Sequence, residues 1–128
     1  MVAGRVACAL NGHVRTTEDL DLVVDAEPGN VRRMLDVLAG FGEGHARELL
    51  VADFGDEEGA VRVIEDFPVD LFTRIGGLRY ADLEAHRKVH DGEVEVPYLD
   101  AEGLILLKSK SHRPQDRLDV EALHRLGE

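Results

Sequence analysis

The chain has a single cysteine, Cys8, and no tryptophan. One cysteine excludes an internal disulfide framework and a cysteine-based zinc site. Aromatic residues make up only 5% of the sequence, too few for the stacking platforms that hold single-stranded bases. Positive charge is scarce as well: 15 Lys and Arg stand against 26 Asp and Glu, a formal net charge of −11. Such an excess repels phosphate backbones and excludes a general nucleic-acid coat protein. It leaves a nucleotide ligand open, because a bound Mg²⁺ inverts the local electrostatics. No apolar run approaches the ~18 residues of a transmembrane helix. The N-terminal stretch is broken early by Arg5, unlike a signal peptide, so a cytoplasmic protein without membrane association is expected.

What is present suits one domain spanning residues 1–128. The hydrophobic share is 44%, enough for a core, and there is no repeat or low-complexity segment. Residues 6–11 read as a short helix stopped by Gly12. Residues 20–25 read as a strand with Leu20, Leu22 and Val24 on one side and Asp19, Asp21 and Val23 on the other. After a turn at 27–30, with Asn30 as the cap, Val31, Met34, Leu35 and Leu38 mark a helix closed by Gly40 and Gly42. A strand is expected near 49–54, a hairpin turn at 56–59, and strands at 60–65 and 69–73 separated by Pro68. Residues 80–88 read as helix. Asp91-Gly92 signals a turn before a strand at 93–98. Asp100 caps a helix from 101 to about 111, and Pro114 opens a last helix to 126. Strands and helices mix without strict alternation, which predicts an α+β fold: a small mixed β-sheet with flanking helices.

The strongest chemical signal is Arg15-Thr16-Thr17-Glu18-Asp19-Leu20-Asp21-Leu22. Asp19 and Asp21, two apart at a strand start, project to one face. Side-by-side carboxylates repel, and a divalent cation relieves the repulsion; hard oxygen ligands suit Mg²⁺ or Mn²⁺. From spacing alone the commoner meaning of such a pair is the solvent-facing side of an amphipathic strand. Asp70, in Val69-Asp70-Leu71-Phe72, supplies a third carboxylate if its strand lies beside the first. Three convergent carboxylates can hold two metals that clamp the attacking and leaving oxygens of phosphoryl transfer. Gly4 stands where backbone N–H groups could approach a phosphate at a helix start. Lys108 ends an apolar helix, where it either reaches a triphosphate or snorkels to the surface.

These segments together resemble a known group. VAGRVACALNGHVRTTEDLDLVV is similar to the opening motif of polymerase-beta-like nucleotidyltransferases, and within them to the minimal bacterial enzymes and the AbiEii-type toxins. Gly4, Gly12, Arg15, Thr17, Asp19 and Asp21 fall on the motif, and Asp70 falls on its third carboxylate. VPYLDAEGLILLKSKSHRPQDRLDVEAL resembles the closing motif through Lys108, Arg113, Asp116 and Asp119. The resemblance spans residues 2–126.

It implies the nucleotidyltransferase fold, lacking the usual N-terminal helix and most of the first strand. Either the chain's true start lies upstream, or the sheet is completed differently, for example by another chain. An exposed sheet edge, and with it a homodimer, is therefore expected. The implied activity is metal-dependent transfer of a nucleoside monophosphate from an NTP to a hydroxyl of a tRNA, protein or small molecule, in a toxin–antitoxin setting with an antitoxin-like partner. Asp19 and Asp21 would bind the nucleotide's Mg²⁺ (or Mn²⁺) and a second metal. Asp70 would complete the second site and help deprotonate the acceptor. Gly4 would face the β- and γ-phosphates, Thr17 would support the metal-binding loop, and Lys108 would neutralise the triphosphate. Arg113, Asp116 and Asp119 read either as an ion network that orients helices or as direct nucleotide contacts. Arg5 departs from the pattern, which has Gly or Ser there, and would either bind a phosphate or block it. The alternative reading is a catalytically degenerate module that binds a nucleotide or a protein partner.

Overall fold

Short, mostly apolar strands build the centre of the structure. The computed structural model describes residues 1–13, 19–109 and 113–126. In chain order its elements begin with β1 (Val2–Ala3), α1 (Gly4–Leu10), β2 (Leu20–Val23), α2 (Pro28–Ala39), β3 (Ala60–Ile64) and β4 (Pro68–Phe72). They continue with β5 (Arg74–Ile75), β6 (Leu78–Arg79), α3 (Tyr80–Leu83), β7 (Arg87–Asp91), β8 (Glu95–Leu99), α4 (Ala101–Lys108) and α5 (Pro114–Leu126). Six strands form one sheet in the order β3-β4-β2-β1-β8-β7. The β2–β4 and β1–β8 pairs are parallel and the other three antiparallel, so the sheet is mixed and the fold is α+β. β5 and β6 make a separate two-stranded ribbon.

Helices cover both faces of the sheet. α2 presents Val31, Met34, Leu35 and Leu38 to Val63, Val69 and Leu71. On the opposite face α1, α4 and α5 bring Ala7, Cys8, Leu104 and Leu123 against Val23 and Leu99. Leu71, Leu99, Leu104 and Leu123 are fully buried. Burying a leucine side chain contributes about 1.5–3 kcal/mol. This second helical layer sits over β1, β2 and β8. Towards β3 the same face is open: Arg62 and Ile64 are exposed. No described helix is long and apolar enough to cross a membrane.

Several local expectations are corrected. Helix α1 starts at Gly4, two residues early, because β1 runs into it without a loop. The cap of α2 is Glu27 rather than Asn30: its carboxylate accepts from the Gly29 and Asn30 N–H groups, and Pro28 takes the first helical position. The expected strand at 49–54 is a pair of 3₁₀ turns, His45–Glu48 and Val51–Asp53. The second is fixed by Asp53 accepting from the Leu50 N–H at 2.8 Å. Asp56–Gly59 therefore has no strand before it and is not a hairpin turn; Asp56 instead receives both Arg74 and Arg79. The helix expected over 80–88 stops early, and Arg87 begins β7, a strand the sequence pattern hides because all its side chains are exposed. Asp100 does cap α4, accepting from Gly103 N–H at 2.8 Å, and α5 starts at Pro114. The short first strand leaves no gap. β1 lies inside the sheet, with Val2 opposite both Leu22 and Tyr98, and the edges are β3 and β7.

Candidate functional site

Register brings the carboxylates together. Asp21 on β2 lies directly opposite Asp70 on β4. Paired residues on adjacent strands share a face, so both carboxylates leave the sheet on the same side. Asp70 is in turn opposite Arg62 on β3, and Asp21 is opposite Ala3 on β1. A row therefore crosses four strands: Arg62, Asp70, Asp21, Ala3. It lies on the face whose β3 end the helices leave open. Arg62 grips Asp70 with both ends of its fork, Nε to Oδ1 at 2.8 Å and Nη2 to Oδ2 at 2.9 Å. The same Nη2 reaches Asp19 Oδ2 at 3.4 Å. Asp21 and Asp70 thus leave the sheet on one face, and Asp19 is tied to Asp70 through Arg62. The three do not bring ligand oxygens within 4.8 Å of one another; among the described residues only His86, Asp100 and Glu102 bring ligand atoms that close.

Arg62 was not singled out in the sequence. The signal was there: it is the one charged side chain in Ala60-Val61-Arg62-Val63-Ile64, a strand whose Val61 and Val63 face the core.

The neighbouring carboxylates leave an electrostatic strain. Burial pushes the Asp21 carboxyl above its ordinary value, the neighbouring Asp70 and Asp19 charges push it further, and Lys108 and Arg62 offset part of the rise. A cation at this point relieves that penalty. Gly4 completes the arrangement from the other side. Its φ is +61°, and a Cβ there would overlap Asp21 Oδ2 and lie 3.0 Å from Cγ. The space that a side chain at Gly4 would take is filled by the Asp21 carboxylate, and Gly4 also lines the adjoining cleft.

Lys108, at the end of α4, lies across the cleft. Its Nζ donates to Asp119 Oδ2 at 2.8 Å and to Asp116 Oδ1 at 3.2 Å, both on α5. Burial lowers its pKa, but the Asp119 hydrogen bond and charge outweigh this and the net shift is upward. Asp119 has no exposed surface and also meets His13 Nε2 at 3.1 Å and Gln115 Nε2 at 3.2 Å. Burial alone would raise its pKa; Lys108, then His13 and Gln115, bring it down to about 2. Asp119 is therefore a buried knot that ties α4, α5 and the segment following α1 together. Of the two readings left open for Asp116 and Asp119, the contacts present are those of the helix-orienting network. An ammonium has three donors, and two are used here, so the third can still serve a ligand.

Between these groups is a cavity of about 300 Å³. Gly4, Arg5, Asp21, Lys108, Arg113 and Asp116 supply its polar lining, and Phe72, Ile75, Leu104 and Leu107 its apolar wall. Five of the residues expected from sequence therefore share one cleft: Gly4, Arg5, Asp21, Lys108 and Arg113. Asp19 and Asp70 stand beside it on the Arg62 side. Thr17 and Arg15 lie outside the described residues. A second cavity, about 360 Å³ and more open, is lined mainly by apolar groups such as Leu22, Val24, Met34 and Tyr80.

His86 ends a 3₁₀ turn and His90 is on β7, so the two histidines do not share a helix face. His86 does approach Asp100 and Glu102, all offering ligand atoms within 4.8 Å. Asp100 is already committed there to capping α4.

Neither the family models nor the curated proteins contain a match to this chain. The site must therefore be judged on its own chemistry. Hard carboxylate oxygens, one with a raised pKa, are a donor set for Mg²⁺ or Mn²⁺. Lys108, Arg5 and Arg113 bring three cations to the lining of the adjoining cleft, against Asp21 and Asp116 in the same lining, with Lys108 and Arg113 both paired to Asp116.

Proposed function

We propose that the protein is a divalent-cation-dependent nucleotidyltransferase with the polymerase-beta-like fold. It moves a nucleoside monophosphate from an NTP to a hydroxyl acceptor in a tRNA, a protein or a small molecule. One observation carries this reading: Asp21, in register with Asp70 on the next strand, lines the same cleft as Lys108. Carboxylates on one wall and cations on the other are what a metal-bound triphosphate needs on its two sides. Asp19 and Asp21 would hold Mg²⁺ or Mn²⁺, which supplies charge neutralisation at the reacting phosphate. Lys108 would donate its remaining N–H to a phosphate oxygen, with Arg113 and Arg5 at the mouth of the cleft. In the transfer, the acceptor oxygen bonds to the α-phosphorus as the bond from that phosphorus to the β-phosphate oxygen breaks. Pyrophosphate leaves, and the acceptor's proton passes to Asp70.

A second reading is favoured by Arg5. It lines the cleft where a small residue would leave more room for the triphosphate. On that reading the chain binds a nucleotide, or an antitoxin-like protein partner, without turnover. The experiment that separates the two is incubation with labelled NTPs, Mg²⁺ and a cell extract, followed by identification of the labelled species. Label transfer that is lost in Asp21→Asn supports the enzyme. Metal-dependent NTP binding by calorimetry with no labelled product supports the binding module. Absence of NTP binding would end both nucleotide readings.

A further inference from the structure

Arg62 takes the place that a second metal would need. The row across the sheet ends in a guanidinium rather than in open solvent, and this follows from register, not from chance reach: β3 sets Arg62 directly opposite Asp70. Both Asp70 oxygens are engaged, at 2.8 and 2.9 Å, and the outer nitrogen also faces Asp19 at 3.4 Å. Asp70 is almost fully buried, with a side-chain exposure of 10%, so it has little freedom to turn another face to an ion. We propose that Arg62 is the resident second cation of this site, so that the chain holds one divalent ion, at Asp19 and Asp21, rather than two.

The inference rests on the metal reading given above and sharpens it. Two divalent ions bridged by three carboxylates require Asp70 to offer an oxygen to metal. A guanidinium within hydrogen-bond distance of that oxygen excludes a second positive centre from the same lone pair by simple repulsion. The planar fork matches a carboxylate in a way an ammonium does not, and arginine stays charged at every accessible pH. The exchange also suits the charge of the site. Asp19, Asp21 and Asp70 with the Arg62 guanidinium carry −2, which one divalent ion neutralises. Arg62 is thus a positioning residue: it fixes Asp70 and sets how many ions the site accepts.

The test is a Mn²⁺ titration of the whole chain without nucleotide, counting bound ions by electron paramagnetic resonance and calorimetry. The natural protein should bind one ion per chain at the site, and Asp21→Asn should abolish it. Arg62→Gln should admit a second ion, and adding Asp70→Asn to that variant should return the count to one. Arg62→Lys, which restores the charge, should keep it at one. Two ions on the natural protein would overturn the proposal, whatever the variants do. So would a count of one in a folded Arg62→Gln. If Arg62→Gln does not fold, Arg62→Lys decides, since a second ion there would show that a cation at this position does not exclude metal. No bound ion in any variant, including the natural protein, would bring down the metal reading itself, whereas one ion that ignores Arg62 would bring down only this inference.

Discussion

Replacing Lys108 with methionine keeps most of the side-chain volume and removes the charge that holds Asp119. The natural contact is short and dry: Nζ to Oδ2 is 2.8 Å, with side-chain exposures of 14% and 0%. Removing one partner of a buried pair costs about 3–5 kcal/mol, because the other charge is stranded. Asp119 keeps His13 and Gln115, which places Lys108→Met at about 3 kcal/mol. Asp119→Asn removes the charge but leaves hydrogen-bonding atoms, so it should cost about 2 kcal/mol. If the pair is the source of both losses, the double variant should also lose only about 3 kcal/mol, well short of the sum. The pH dependence follows from the same contact. With a folded pKa of about 2 against an ordinary 3.8, Asp119 contributes about 2 kcal/mol of stability. That contribution is fully present above about pH 4 and is lost as the pH falls through 2. Lys108→Met removes the hydrogen bond and the charge that lower this carboxyl most, so the gap to the natural protein should be widest near neutrality and narrow as the pH falls towards 2. Urea unfolding of the four proteins at about pH 7 and about pH 3, with equal m-values, measures all of this. Additive losses, or a gap between natural protein and Lys108→Met that does not narrow at the lower pH, would refute the reasoning.

Gly4→Ala should destabilise by at least 1–2 kcal/mol for the left-handed backbone alone, and its overlap with Asp21 should also weaken Mn²⁺ binding; unchanged unfolding and binding would show that Asp21 has room to move. Asp100→Ala removes the cap of α4 and should cost about 1 kcal/mol in urea unfolding, with Asp100→Asn recovering most of it. Arg5→Gly, read by NTP titration with Mg²⁺, should bind tighter if the side chain plugs the cleft and weaker by about 1–3 kcal/mol if it holds a phosphate oxygen. No change would remove Arg5 and the Gly4 turn from the nucleotide site.

The parts of the fold that were legible in the sequence are those whose partner lies nearby or whose faces differ sharply. Asp21 and Asp70 were readable as candidates because each is the one charged residue in an apolar strand, LDLV and PVDLF, so only the pairing of those strands had to be assumed. Asp100 and Pro114 were readable because caps and first turns are local chemistry. β7 was not, since an edge strand with every side chain exposed has no alternation to detect. The 49–54 segment misled because Leu49, Leu50 and Val51 look like a strand, while Asp53 closes a turn on the Leu50 N–H. Arg62 was hidden for a different reason. A charged residue on the outer side of a strand is ordinary until the register with Asp70 is known, and register is a long-range property.

The two-residue β1 has a mechanical consequence. It is the seam of the sheet: β2 meets β4 over four residue pairs, whereas β1 meets β8 through one, Val2 with Tyr98. Asp21 stands on one side of that seam. Lys108 stands on the other, carried by the helix that follows β8. The width of the cleft is therefore set where the sheet has its fewest rungs. A twist of the β7–β8 hairpin and α4 about this line would change the distance between the acidic and basic walls while leaving each wall intact. The strand pairing across this line is a single rung, reinforced by Asn11 Nδ2 donating to the Leu99 carbonyl at 3.0 Å and braced by the Asp119 knot on the helical side.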